Sequence, residues 1–85
     1  MNTVFLLMAQ HGSATIPLDD VRKHYFSHLS PDQFLRKLNN GEIKLPVIRS
    51  DPNSRKSALY VSVTDLAAYV DDRRAAAIKE MEQLT

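Results

Sequence analysis

The stretch Ser30-Pro31-Asp32-Gln33-Phe34-Leu35-Arg36-Lys37-Leu38-Asn39-Asn40-Gly41 decides the fold. It opens with a serine suited to cap a helix, a proline at the first helical position and a glutamine three residues after the serine, the S-x-x-Q capping box. It closes on Gly41, a residue that accepts the left-handed conformation in which helices end. At about 100° per residue, Gln33, Arg36, Lys37 and Asn40 share one face, while Phe34, Leu35 and Leu38 share the opposite one. The apolar face predicts packing on a preceding helix, and the polar face stays outward.

Toward the C-terminus, Leu45–Arg49 and about Leu59–Val63 are runs rich in β-branched residues. They flank the turn-forming Ser50-Asp51-Pro52-Asn53-Ser54 and predict a β-hairpin whose loop, roughly nine residues, exceeds what a tight hairpin needs. Thr64 is then expected to cap a final helix reaching about Glu82, with Asp65 in its first turn.

Toward the N-terminus, Asp19 and Asp20 mark the first turn of a helix over about Leu18–Phe26, and Thr15-Ile16-Pro17 is extended, as residues before proline are. Asn2 or Thr3 caps a first helix that runs to about Gln10, with Gly12 as its stop. That helix is apolar nearly all round, so it is expected to be buried, within the domain or against a partner. The order is helix, short strand, helix, turn, helix, hairpin, helix. It predicts one domain over residues 1–85, mainly α with a small β-hairpin: a winged helix-turn-helix with flanking N- and C-terminal helices.

Charge is divided along the chain. The 85 residues carry 11 basic and 10 acidic side chains, a net +1 that looks indifferent to polyanions. Residues 1–21 hold two acids and no Lys or Arg. Residues 22–56 hold eight basic residues against three acids, and residues 57–85 hold three basic residues against five acids. The net charges are therefore −2, +5 and −2, and the basic centre coincides with the central helix and the hairpin.

Those residues suit double-stranded DNA. Arg pairs with guanine and Gln or Asn with adenine, and the rise of about 10 Å from Gln33 to Asn40 fits a major groove. Ser30 and the free N–H groups at the helix start can hold a phosphate. Arg49, Asn53, Ser54, Arg55 and Lys56 sit at or near the hairpin tip, with chemistry for the DNA backbone or minor groove. The expected DNA-binding residues are thus Ser30, Gln33, Arg36, Lys37, Asn40, Arg49, Asn53, Ser54, Arg55 and Lys56.

Other chemistry is poorly supplied. The absence of cysteine excludes a disulfide scaffold, a thiolate metal site and a catalytic Cys. Two glycines argue against a phosphate-cradling loop, and no nucleophile–base constellation is legible. His24 and His28 are four apart, but a zinc site needs a third ligand and the helix is expected to end between them. No enzyme activity, metal or cofactor is expected. The apolar run 4–9 (VFLLMA) is too short for a membrane span or a signal core, so an intracellular protein is expected. Tyr25, Phe26, Phe34, Tyr60 and Tyr69 are read as core. Val63, Leu66, Val70, Ala77 and Leu84 fall on a rough heptad line, interrupted by Arg73 and Glu80, that leaves open a self-packing or a dimerising last helix.

The chain also resembles the pyocin activator protein (PrtN) family, small bacterial transcriptional activators associated with phage-tail-like bacteriocin genes and prophages. The resemblance rests on NTVFLLMAQHG, on IPLDDV followed by YF, on LSPDQFLRKLNNGEIKLPVIR, and on KSALYV with TDLAAYVDDRRAAA, and covers about residues 2–78. It implies a sequence-specific DNA-binding activator acting at promoter elements from the cytoplasm, on the nucleoid. The middle is also similar to excisionase and MerR-type domains, through Gly41-Glu42-Ile43-Lys44-Leu45-Pro46-Val47-Ile48-Arg49, although the turn Phe26–Leu29 is longer than theirs. Three expectations follow: an activator, working as a homodimer or side-by-side oligomer and touching RNA polymerase; an excisionase-like factor that bends DNA; or a protein-interaction module without DNA contact.

Overall fold

The computed structural model describes residues 2–54 and 57–84. Four helices and three short strands follow one another as α1 (Thr3–His11), β1 (Thr15–Pro17), α2 (Leu18–Tyr25), α3 (Pro31–Asn39), β2 (Ile48–Arg49), β3 (Leu59–Ser62) and α4 (Val63–Leu84). Among the described residues, no helix is long and apolar enough to cross a membrane.

The local signals act as their chemistry requires. The Asn2 side chain accepts from the Val4 N–H at 2.8 Å and caps α1. Gly12, at φ 69°, ends that helix by donating its N–H to the Met8 carbonyl. Open space surrounds the position of a Cβ at Gly12, so its replacement is disfavoured by backbone conformation and not by a clash. α4 corrects the sequence reading: it begins at Val63, and the Ser62 hydroxyl, not that of Thr64, accepts an N–H at its start, from Thr64 at 3.2 Å.

The hairpin is also more than a hairpin. The sheet has three antiparallel strands in the order β1-β3-β2. Ile16 stands opposite Val61, and Ile48 and Arg49 stand opposite Tyr60 and Leu59. Thr15–Pro17 therefore completes the sheet from far away in sequence, with Pro17 on an edge strand where its missing N–H removes no central ladder bond. β2 is shorter than expected: Leu45 is buried but precedes the strand.

One core joins these layers. Ile16, Val21, Phe34, Val61, Val63 and Leu66 are almost wholly buried. Phe34 of α3 stacks on Phe26, with ring centroids 4.9 Å apart and planes at 28°, and Tyr69 of α4 meets Phe26 at a tilt with centroids 5.8 Å apart. Such stacking adds about 0.5–1.5 kcal/mol to the burial itself. Tyr25, read as core from the sequence, is instead exposed at the end of α2. α1 departs further: only Leu7 is buried in the domain, while Phe5, Leu6 and Met8 face outward.

Candidate nucleic-acid interface

α3 is fixed at both ends and from beneath. At its start the capping box is complete: the Gln33 N–H donates to Ser30 Oγ at 3.2 Å, and Gln33 Oε1 accepts from the Ser30 N–H at 3.0 Å. Upstream, Arg22 of α2 donates through Nη1 to the Leu29 carbonyl at 3.1 Å and through Nε to Asp19 Oδ1 at 2.9 Å. These bonds tie the longer turn between α2 and α3 to the helix before it. Asp19 also meets Lys23 at 3.3 Å, and its hydrogen bonds to Arg22 and Lys23 hold its carboxyl below the usual aspartate range. At the far end, Asn40 Oδ1 accepts from the Glu42 N–H at 3.0 Å, and Lys37 Nζ donates to Glu42 Oε2 at 3.0 Å.

The four residues expected to share the outward face are therefore not equivalent. Arg36 is exposed and makes no ion pair or hydrogen bond through its side chain among the described residues. Gln33 and Asn40 are exposed, but the side-chain oxygen of each already accepts one backbone N–H, from Ser30 at the start of α3 and from Glu42 in the turn after it, while their NH₂ groups make no hydrogen bond among the described residues. Lys37 departs most from the outward placement expected of the four: it is half-buried, bound to Glu42, and lines a concavity with Tyr25, Phe26, Ile43 and Tyr69. At 40° from Gln33 it lies nearest to Phe34 on the wheel, which is why it turns inward. Asn39 was missed. It is exposed, its side chain makes no hydrogen bond among the described residues, and it shares a shallow concavity with Asp32, Leu35, Arg36 and Asn40. Its position, 60° beyond Arg36 on the same wheel, was the available signal.

The hairpin flanks this face. Leu59 of β3 lines one concavity with Pro31, Asp32 and Leu35 of α3, and Arg49 pairs with Leu59 across the sheet. Arg49, Pro52, Asn53 and Ser54 line a second small concavity near the hairpin tip. The loop there is closed by Asp51, whose side chain accepts from the Asn53 N–H at 3.0 Å and whose carbonyl accepts from the Ser54 N–H at 3.2 Å. Arg55 and Lys56 lie outside the described residues.

The basic centre seen in the sequence is thus partly spent. Arg22 and Lys23 serve Asp19, Lys37 serves Glu42, and Lys44 lines a concavity with Glu42, Asp65 and Asp72. Arg36, Lys44 and Arg49 remain as exposed cations without an ion pair among the described residues, and Arg36 shares its concavity with Asp32. His24 and His28 turn to different neighbours, His11 and Phe26 respectively, and among the described residues no three metal-ligating side chains converge.

No curated protein matches the chain, and no solved structure matches it. A family model does: that of the pyocin activator protein PrtN, over residues 3–77. The match spans both surfaces described above, the α3 face and the hairpin, as well as α1 and most of α4. With nearly the whole domain matched, the chain belongs to the pyocin activator protein PrtN family, a family of regulatory activators of pyocin gene expression.

Proposed function

We propose that the protein activates transcription by binding double-stranded DNA as a winged helix-turn-helix, with α3 in the major groove and the β2–β3 hairpin along the backbone or in the minor groove. The order of elements and the β1-β3-β2 sheet support this reading. The observation that carries it is Arg36, a cation without an ion pair among the described residues on an exposed face it shares with Asp32 and the side-chain amides of Gln33, Asn39 and Asn40, beside a hairpin that presents Arg49.

The hydrogen bonds within α3 sharpen the roles. Arg36 has its whole guanidinium available for the paired acceptors of a guanine edge. Asn39 has both its amide oxygen and its nitrogen without a hydrogen bond among the described residues, which suits a two-bond contact to adenine. Gln33 and Asn40 act as donors to phosphate or to a base acceptor. Lys37 supports the helix and not the DNA. Ser30 spends its hydroxyl on the cap, Pro31 has no N–H, and the Gln33 and Phe34 N–H groups both bond to Ser30, so the first turn keeps only the Asp32 N–H for a phosphate.

A mobility-shift titration with DNA from upstream of a regulated gene, in the presence of competitor, tests the proposal. Arg36→Ala is expected to weaken binding to the specific site by roughly 1–3 kcal/mol and to relax preference at one base pair. Lys37→Ala is expected to leave that preference intact. Absence of any shift at low salt would remove DNA binding altogether.

A further inference from the structure

α1 and the end of α4 carry a second exposed surface, apart from the outward face of α3. The Thr3 hydroxyl donates to Asp71 Oδ1 at 2.9 Å, and the Val63 N–H donates to the Ala14 carbonyl at 2.9 Å. α1 therefore runs antiparallel to α4 and covers only its first part, up to Asp71. The remaining 13 residues of α4, Asp72–Leu84, extend past it by about 20 Å at the helical rise, which accounts for a molecule 50 Å long and only 18 Å thick.

This overhang is not a polar spacer. At about 100° per residue, the side of α4 that buries Val63, Leu66, Ala67 and Val70 continues beyond Asp71 as Ala77, Ile78, Met81 and Leu84. Only Arg74 interrupts the stripe, and its long stem can lie along apolar neighbours with the guanidinium at the rim. Met81 is 60% and Leu84 88% exposed. α1 has the complementary problem. It has no Asp, Glu, Lys or Arg, and the side turned away from α4 carries Phe5, 70% exposed, Leu6, 51% exposed, Met8 and Ala9.

We propose that two copies of the chain pair about a two-fold axis, the α4 overhang of each covering the outer side of α1 of the other. The lengths agree: the nine residues of α1 span about 13.5 Å, and Ala77–Leu84 about 12 Å. The sequence order agrees as well. Antiparallel α4 helices crossing near Arg74 bring each overhang level with the Val63–Asp71 segment on which the other copy's α1 rests. Each copy presents one donor and one acceptor surface, so a two-fold pair closes and leaves neither uncovered. The large apolar side chains involved expose roughly 600 Å² per copy, close to the ~800 Å² that one partner gives to a standard stable interface. A second copy is the occupant that supplies both missing surfaces at once. The pairing does not depend on what α3 binds.

Sedimentation equilibrium of the DNA-free chain tests it. A dimer at tens of micromolar is expected, and Phe5→Asp and Met81→Asp are each expected to weaken self-association by roughly tenfold or more without changing the helical circular dichroism signal. The absence of native cysteine provides a second measurement that does not rely on those variants folding. A Phe5→Cys chain mixed with a Met81→Cys chain should form a disulfide-linked heterodimer under mild oxidation, in preference to a control mixture with Lys79→Cys. A monomer at all concentrations overturns the proposal. So does a dimer that Met81→Asp dissociates and Phe5→Asp does not, or a mixture without the heterodimer.

Discussion

α1 and α3 are both nine-residue helices, and each buries a single large side chain in the shared core, Leu7 in one and Phe34 in the other. Their outward sides have nothing in common. α3 shows Asp32, Gln33, Arg36, Asn39 and Asn40, whereas α1 shows Phe5, Leu6, Met8 and Ala9. Helical propensity and core burial account for neither outward side. A polar, hydrated face with one unpaired guanidinium matches a hydrogen-bonding, anionic partner, and an uncharged apolar face matches another apolar face. On the two readings proposed above, the helices divide the molecule into a surface for a polyanion and a surface for a second copy of the chain.

The two helices are also anchored unequally, and mutation should expose the difference. Phe34→Ala is expected to be the most damaging change, at about 3–5 kcal/mol by urea unfolding, because it empties the stack against Phe26 at the centre of the core. A value under about 1 kcal/mol would show that α3 is held by its ends and not by its buried face. Next in size is Ser30→Ala, which removes the hydroxyl that accepts the Gln33 N–H and should cost about 1 kcal/mol. The same change frees Gln33 Oε1 only if the reciprocal bond to the Ser30 N–H also breaks. A variant that loses stability and gains preference for an adenine would reveal that competition.

The sequence made the helices legible through local chemistry. The S-P-D-Q opening of α3, Asn2 before α1 and Gly12 after it are read within four residues of where they act, and the structure uses each of them. What sequence could not show depends on distance. The pairing of Thr15–Pro17 with Tyr60–Ser62 is invisible to any local pattern, so the sheet looked like a two-stranded hairpin. The start of α4 lies two residues earlier than the sequence suggests, because Ser62 is both the last residue of β3 and the residue whose hydroxyl accepts the Thr64 N–H. In the candidate interface, the wheel identified the outward face, but it could not show that Glu42, placed after the turn at Gly41, would claim Lys37 and the Asn40 carbonyl. The apolar run of α1 predicts a buried helix, whereas its own domain covers only the side of Leu7 and leaves Phe5, Leu6 and Met8 exposed.

The smallest expected effect concerns the strut behind α3. Asp19 has a lowered pKa through Arg22 and Lys23, so its contribution to stability is complete above the usual aspartate value of about 4 and is lost as pH falls through the lowered one. Asp19→Asn should therefore be slightly less stable than the parent at neutral pH, and the gap should close in acid. High salt should shrink it as well, since the pair is exposed. A gap that widens in acid would show that Asp19 is not the residue responding.

The division of labour between the two helices can be read residue by residue. Backbone amide NMR of the chain titrated with a duplex containing its site is predicted to shift resonances in residues 30–40 and 48–54, with the Arg36 side-chain Nε–H among the largest changes. Resonances of residues 3–11 should stay where they are in the DNA-free protein. Shifts concentrated in α1, with α3 unmoved, would contradict the assignment of α3 to DNA.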